Sequence, residues 1–250
     1  MPYVILLLGL LTQDQPSFRS DVALVRVDAE VRTQTSAVND LQQESFRVTD
    51  GGRPQKVLYF AHDEQPLDMI LLLDASSSMR PVVARVAEAA HMALGELREG
   101  DRVSVMAFDN KTVAITDFTG DFNAAEKSIG EQVLKNGFGG GTRIQDALAD
   151  AAGQFLTQPP DSRRRTIVIV TDDDGTGEQP AALRALWKAD AVVLGVIVRK
   201  PRSGPVYVAN YVYMGMRNIA VKTGGDSIDT GDAAEAVSYT HLTLPTNREV

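Results

Sequence analysis

Apolar and polar residues alternate from Val22 to Arg32, where Val25, Val27, Ala29 and Val31 are set against Arg26, Asp28, Glu30 and Arg32. A period of two predicts a strand buried on one face, as in an antiparallel sheet that meets solvent on the other. Phe46-Arg-Val-Thr49 and Lys56-Val-Leu-Tyr-Phe60 predict two further strands joined through Asp50-Gly51-Gly52, with Pro54 on the turn side or at a sheet edge. Residues 17–66 thus read as a small antiparallel β unit, closed by the linker His62-Asp-Glu-Gln-Pro66. It is too small to bury a core alone and is expected to pack on the larger unit C-terminal to it.

The rhythm changes at residue 67. Met69-Ile-Leu-Leu-Leu73 is apolar throughout, the pattern of a strand covered on both faces, and it ends at Asp74. Val82, Val83, Val86, Ala90, Leu94 and Leu97 keep helical spacing and predict a helix over Met79–Arg98, with Ser78 able to cap its start and Gly100 to end it. Arg102–Phe108 and Val113–Phe118 predict strands around Asp109-Asn110-Lys111, a connection short enough to imply a hairpin and one antiparallel edge. Helices are predicted next, near 121–134 and over 143–156, the second with Ile144, Leu148, Ala151 and Phe155 on one face.

Thr166–Val170 is another apolar strand, Leu183, Leu186 and Trp187 mark a short helix after Gln179-Pro180, and Ala191–Val198 is the next strand. A helix around 210–222 precedes Gly224-Gly225. Strands alternating with helices predict an α/β fold over residues 67–236: an open doubly wound, mostly parallel, Rossmann-like sheet with helices on both faces.

Tyr3–Leu11 is an unbroken apolar run far shorter than the roughly 18 residues that cross a bilayer, so no stable membrane span is expected. Its length suits the apolar core of a secretory signal over 1–16, although no Lys or Arg precedes it and no small-x-small cleavage site comes after it. The other reading is an ordinary buried strand. The signal reading implies an extracytoplasmic place: periplasm, cell surface or medium. Val237-Ser-Tyr-Thr-His-Leu242 is what the codons GTC TCT TAT ACA CAT CTG of a sequencing adapter spell, so 237–250 reads as an adapter-derived scar or else a polar tail. The scar reading has the natural sequence continue differently after Ala236.

Composition narrows the chemistry. Lys and Arg number 25 against 33 Asp and Glu, a formal charge of −8 that disfavours nucleic acid as a partner. With no cysteine and only His62, His91 and His241, disulfides, thiolate metal sites and cysteine nucleophiles are excluded, and a bound metal would be a hard cation held by oxygen. Asp74-Ala-Ser76-Ser77-Ser78 lies where a buried strand turns into a helix, the end at which open α/β sheets bind ligands. One carboxylate and two hydroxyls at alternate positions suit Mg²⁺, which takes six oxygens and keeps several waters. Thr142, after Gly139-Gly-Gly141, and Asp172, after an apolar strand, are further oxygen sources.

These residues resemble the metal-ion-dependent adhesion site of the von Willebrand factor type A domain: Asp-x-Ser-x-Ser, a distant Thr, then an Asp after an apolar strand. The resemblance covers about residues 67–236 and includes the order, spacing and context of all three parts. It implies that Asp74, Ser76, Ser78, Thr142 and Asp172 gather one divalent cation, Mg²⁺ or alternatively Mn²⁺ or Ca²⁺. The serines and threonine would bind directly or through water, and an acidic side chain of a protein partner would complete the sphere. It also implies that the strands ending at Asp74 and Asp172 are central neighbours. Asp117-Phe-Thr119, Gly140-Gly-Thr142 and Asp146-Ala147-Leu148, with Glu44-Ser-Phe46 and Asp50-Gly51, look like a bacterial subgroup of the family described chiefly from acidobacteria. In place of the usual Thr-Asp-Gly this chain has Thr171-Asp172-Asp173-Asp174-Gly175, so Asp173 could replace or assist Asp172.

Simpler roles stand beside these. Asp74 and Ser78 could merely cap the next helix. The triple glycine lacks the Gly-Lys-Ser/Thr ending of a phosphate loop and is expected to let its backbone approach a neighbouring loop. Arg163-Arg-Arg165 is expected to be the solvated start of a strand rather than a basic patch. His91 is expected to be packed or exposed rather than a ligand, and Trp187 to pack in the core or at its rim. The function expected is a non-enzymatic, metal-dependent protein-binding module for adhesion or interaction. The rivals are a Mg²⁺-dependent phosphoryl-transfer enzyme of haloacid-dehalogenase type and a structural part of an envelope assembly. The phosphoryl-transfer chemistry needs a second acid two residues after the nucleophile, where this chain has Ser76. Serine hydrolysis fares worse, since no Gly-x-Ser-x-Gly elbow appears and no histidine is placed by sequence to serve one.

Overall fold

The structure, a computed structural model, describes residues 40–60, 65–133, 139–159, 163–173, 175, 177–198 and 215–230, together with the isolated positions Val27, Val31 and Val38. Tyr3–Leu11, residues 237–250, all but Val27 and Val31 of the strand expected over Val22–Arg32, and the first part of the helix expected around 210–222 lie outside the described residues.

The hairpin of the small β unit is β1 (Val48–Asp50) with β2 (Arg53–Gln55). Gly51 and Gly52 take φ of 53° and 77°, the two left-handed residues of a tight turn, and this sets Asp50 opposite Arg53. The third strand expected over Lys56–Phe60 is therefore corrected: pairing starts at Arg53 and is over by Gln55. Pro54 pairs with Thr49 in a ribbon where both strands are edges, so its missing N–H costs nothing.

The main sheet contains β3 (Leu67–Asp74), β4 (Arg102–Phe108), β5 (Thr112–Ala114), β6 (Arg164–Thr171), β7 (Ala191–Val198) and β8 (Ser227–Thr230), in the order β5-β4-β3-β6-β7-β8. Every neighbouring pair is parallel except β4 with β5. The helices are α1 (Val83–Gly95), α2 (Phe122–Ser128), α3 (Ile144–Leu156), α4 (Gln179–Ala189) and α5 (Met216–Lys222). Successive residues of a strand point to opposite faces, and β3 shows what each face meets. Met69, Leu71 and Leu73 join Val86, Ala90 and Leu94 of α1 and Ala125 of α2. Ile70 and Leu72 join Leu148 and Phe155 of α3, Leu183 and Leu186 of α4, and Ile219 of α5. Two apolar layers around a continuous run of buried residues are the doubly wound arrangement that the apolar runs predict.

Several boundaries differ from expectation for local reasons. Pro81 has no N–H for a regular helix interior, so Ser77–Val82 forms a 3₁₀ segment before α1 begins, and the cap expected from Ser78 is absent. The strand expected over Val113–Phe118 is regular only to Ala114. The Val105 carbonyl then accepts from both Ile115 and Thr116, a bulge, before Val103 pairs with Thr119. β8, a four-residue parallel partner of β7, is an element beyond those that the sequence pattern predicts.

Arg163-Arg-Arg165 is not a solvated run. Arg163 donates to the Asp68 carboxylate at 2.5 Å and to the carbonyls of Leu67 and Gly100, Arg164 to that of Gln65, and Arg165 to that of Ala189. Asp68, 1% exposed, also accepts two bonds from Arg102, at 2.9 and 2.6 Å. The guanidinium fork suits such shared recognition of one carboxylate, and it ties the amino ends of β3, β4 and β6 together.

The turn into β8 passes Gly225, where a Cβ would stand 2.0 Å from the backbone oxygen of Val193. Gly225→Ala is expected to destabilise the protein by about 1–3 kcal/mol through overpacking against backbone. The urea unfolding midpoint measures it, and an unchanged midpoint would show that β8 docks differently.

Candidate functional site

The register Leu73↔Val170 sets the last residue of β3, Asp74, beside the end of β6. This is the point in the strand order where the chain's crossovers change direction, and the crevice beyond it is where such sheets take ligands. Asp74 is 1% exposed. Its Oδ1 accepts the Ser76 N–H at 2.9 Å, and its Oδ2 accepts the Thr171 hydroxyl at 2.6 Å. The first bond closes an Asx-turn that carries the chain away from the strand. It leaves the hydroxyls of Ser76, which is buried, and Ser78, half-buried, 2.9 Å apart.

A second loop is stitched to the first by its backbone. Gly139 N–H donates to the Ala75 carbonyl at 3.0 Å, and the Gly139 carbonyl accepts from Ser77 at 2.6 Å. The loop also reaches the end of β4, where the Asp109 carbonyl accepts from Arg143 at 3.0 Å. These approaches account for the glycines. A Cβ on Gly139 would fall 1.9 Å from Asp109 Oδ2, and one on Gly141, which holds φ at 84°, would fall 1.9 Å from Asn110 Oδ1. The expected backbone approach is thus the role of this run. Thr142 comes next, two residues before α3 opens at Ile144.

The third loop leaves the end of β6. Asp172 is 8% exposed, and a Cβ on Gly175 would lie 3.1 Å from the Thr142 carbonyl oxygen, so this loop leans on the second. Three loops carrying Asp74, Ser76 and Ser78, then Thr142, then Asp172 therefore share one end of the sheet. Burial pushes the Asp74 carboxyl above its ordinary range, hydrogen bonds from Ser76 and Thr171 act against that, and the negative charge of Asp172 adds to the rise. A buried carboxyl whose ionisation a neighbouring carboxylate opposes, with hydroxyls beside it, is a donor set that a hard divalent cation fits. Among the described residues no three His, Cys, Asp or Glu side chains gather to hold a metal, so any cation here would depend on the hydroxyls.

Asp173 links the third loop to the start of α5. It sits at φ 58°, a left-handed conformation that glycine adopts freely and that Asp tolerates better than most residues. Its N–H donates to Thr171 Oγ1 at 3.2 Å, and its Oδ1 accepts from the N–H of Met216 at 3.0 Å, at the start of α5. Thr171 and Asp109 join the site without standing out in the sequence; for Thr171, a hydroxyl directly before Asp172 at a strand end is the one available signal. His91 is exposed on α1 and pairs with Glu126 at 2.7 Å, away from these loops. Trp187 is 56% exposed on α4, a rim position rather than core.

The von Willebrand factor type A domain family matches residues 69–176, a span that contains all three loops. An aerotolerance-related membrane protein from Bacteroides fragilis shares the fold at a TM-score of 0.57 and 18% identity, over 70% of this chain and 97% of that one. A von Willebrand factor type A protein from Catenulispora acidiphila aligns at 0.55 and 19%, over 71% and 42%. The pilus adhesin SpaC from Lactobacillus rhamnosus GG aligns at 0.51 and 15%, over 72% and 30%. No curated protein matches the sequence. The family match covers Asp74, Thr142 and Asp172, and the sheet is built as in these neighbours, so residues 69–176 are similar to von Willebrand factor type A domains in sequence and in fold.

Proposed function

We propose that this domain is a non-enzymatic, metal-dependent protein-binding module whose centre is Asp74, Ser76, Ser78, Thr142 and Asp172. Domains of this family are generally non-catalytic interaction modules. The observation that carries the reading is the mutual stitching of the three oxygen-bearing loops at the carboxyl end of β3 and β6, with Asp74 buried among hydroxyl donors. A bound divalent cation, Mg²⁺ in the first instance, would supply a Lewis-acidic position for a carboxylate oxygen of an acidic partner. The chain's residues do the rest. Asp74 sets the turn that presents Ser76 and Ser78, Thr171 fixes the Asp74 carboxylate, and Gly139 ties the loop that carries Thr142 to the first loop. Loop residues around this end would set which partner fits. The Bacteroides neighbour is a membrane protein and the Lactobacillus neighbour a pilus adhesin, which supports an extracytoplasmic setting, and no described helix is long and apolar enough to cross a membrane.

Phosphoryl transfer has less support. Ser76 occupies the place where that chemistry needs a proton-donating acid, and its hydroxyl faces Ser78.

Calorimetric titration of Mg²⁺ and Mn²⁺ into chelator-treated protein tests the proposal. One-site saturable binding is expected, weakened about tenfold or more in Thr142→Val, which keeps shape and removes the hydroxyl. A folded protein that takes up neither metal, alone or with a carboxylate such as acetate present, would refute it. In that case the site would be a structural junction of loops.

A further inference from the structure

α4 and α5 lie on the same side of the sheet, where Leu183 and Leu186 share one apolar cluster with Met216 and Ile219. Their outer faces carry Arg184, Lys188, Arg217 and Lys222, all exposed, and neither helix contains an acidic residue. Glu178 and Asp190 flank α4 without entering it. Among the described residues no ion pair engages any of the four cations. In a chain of formal charge −8 this is a local reversal of sign.

The same face exposes two apolar side chains, Trp187 at 56% and Val221 at 58%. The indole N–H donates to the Lys222 carbonyl at 3.0 Å, which joins the two helices and satisfies the ring's polar edge within the protein. The exposed part of the ring is carbon, framed by cations on long apolar stems. The side chains stand out from two helices rather than lining a cleft, and peptides are ordinarily held in grooves or added to sheet edges. A broad anionic layer with an apolar interior, by contrast, accepts an aromatic ring at its interface and cations at its headgroups.

We infer that the α4–α5 face binds the surface of an anionic phospholipid membrane, with Trp187 entering the interface and Arg184, Lys188, Arg217 and Lys222 on the headgroups. The charge of the rest of the chain repels such a surface, so this face fixes the orientation of the docked domain. The cation centre at the end of β3 is not used, and binding is independent of divalent metal.

Co-sedimentation of the full chain with phosphatidylcholine vesicles and with phosphatidylcholine–phosphatidylglycerol vesicles, in chelator and at low salt, tests this. The protein is expected to pellet with the anionic vesicles alone and to be released as rising salt shortens the screening length. Each neutralised cation should lower partitioning roughly fivefold, so Arg184→Gln/Lys188→Gln should lower it about twenty-five-fold. Trp187→Ala should lose binding severalfold, whereas Trp187→Phe, which keeps a ring and drops the N–H, should retain most of it. Because these positions are exposed, circular dichroism melts of the Gln variants should match the parent. Equal pelleting with neutral vesicles, or pelleting that survives neutralisation of all four cations, would assign binding to another part of the chain, such as Tyr3–Leu11, and overturn the inference. So would a folded protein that stays in the supernatant, which would leave the face to an acidic protein surface.

Discussion

Asp74→Asn is expected to abolish Mg²⁺ and Mn²⁺ binding while leaving the fold intact. Asparagine keeps an oxygen for the Ser76 N–H, and its amide can donate to Thr171 Oγ1, so both bonds of Asp74 have replacements. The charge proposed to hold a cation is gone. In thermal melts the parent protein should gain about 2.7 kcal/mol at a metal concentration a hundredfold above Kd, by mass action alone, and the variant nothing. The metal-free proteins should differ in the opposite sense. Burial raises the Asp74 carboxyl above its ordinary range, so the folded state holds the proton more tightly than the unfolded one. The associated stability is present below the unfolded value and is lost as pH rises through the raised folded value. Metal-free parent protein should therefore lose stability across that window relative to Asp74→Asn, and added Mg²⁺ should restore it. A metal-dependent shift that persists in Asp74→Asn, measured by melts across pH, would show that the cation binds elsewhere.

The largest stability effect should lie at the opposite end of the sheet. Asp68→Ala removes the carboxylate that Arg102 and Arg163 share, and leaves two guanidiniums that are 31% and 17% exposed without their buried counter-charge. Breaking a buried pair from one side costs about 3–5 kcal/mol, mostly from the charge left behind, and Arg102's partial access to water places the expectation near the lower end. Equilibrium urea unfolding measures it. Metal affinity of the folded variant should be unchanged, because the clamp sits at the amino ends of the strands and the proposed cation centre at the carboxyl ends. A variant as stable as the parent would mean that the arginines find carbonyl partners enough without Asp68.

Both ends of the sheet show how far the sequence alone is legible. Met69–Leu73, Thr166–Val170 and Ala191–Val198 are readable as buried strands because both faces of each meet helices, so every position is apolar or nearly so. Asp74, Thr142 and Asp172 are readable as one group only through the resemblance to a family motif; nothing in spacing alone joins residues so far apart. The strand at Ser227–Thr230 escapes notice because four residues with polar side chains at Ser227, Asp229 and Thr230 give too short a pattern to set it apart from a loop. Arg163-Arg-Arg165 misleads because a charge run says nothing about its partners: Asp68 and Arg102 are distant in sequence and meet it only through the β4-β3-β6 order. Ser78 as a helix cap fails on Pro81, three residues on, whose ring delays the regular helix. Thr171 is legible only as part of the Thr-Asp motif; its bond to Asp74 is not, because a hydroxyl at a strand end usually bonds locally, whereas this one reaches across to the neighbouring strand.

The strand order has a mechanical consequence. Among the described residues the chain enters the sheet at Leu67, at the amino end of central β3, and leaves it at Thr230, at the carboxyl end of β8. Tension between those two points runs along the strand axes and loads the ladders in shear, so that hydrogen bonds must break together instead of one after another. The weakest of the ladders in that path is β7 with β8, which pairs only Gly195–Val198 with Ser227–Thr230, against seven register pairs each for β3 with β6 and β6 with β7. Under a pull the edge strand yields first, and the junction of β3 and β6 that holds Asp74 and Asp172 stays closed while β8 acts as the fuse.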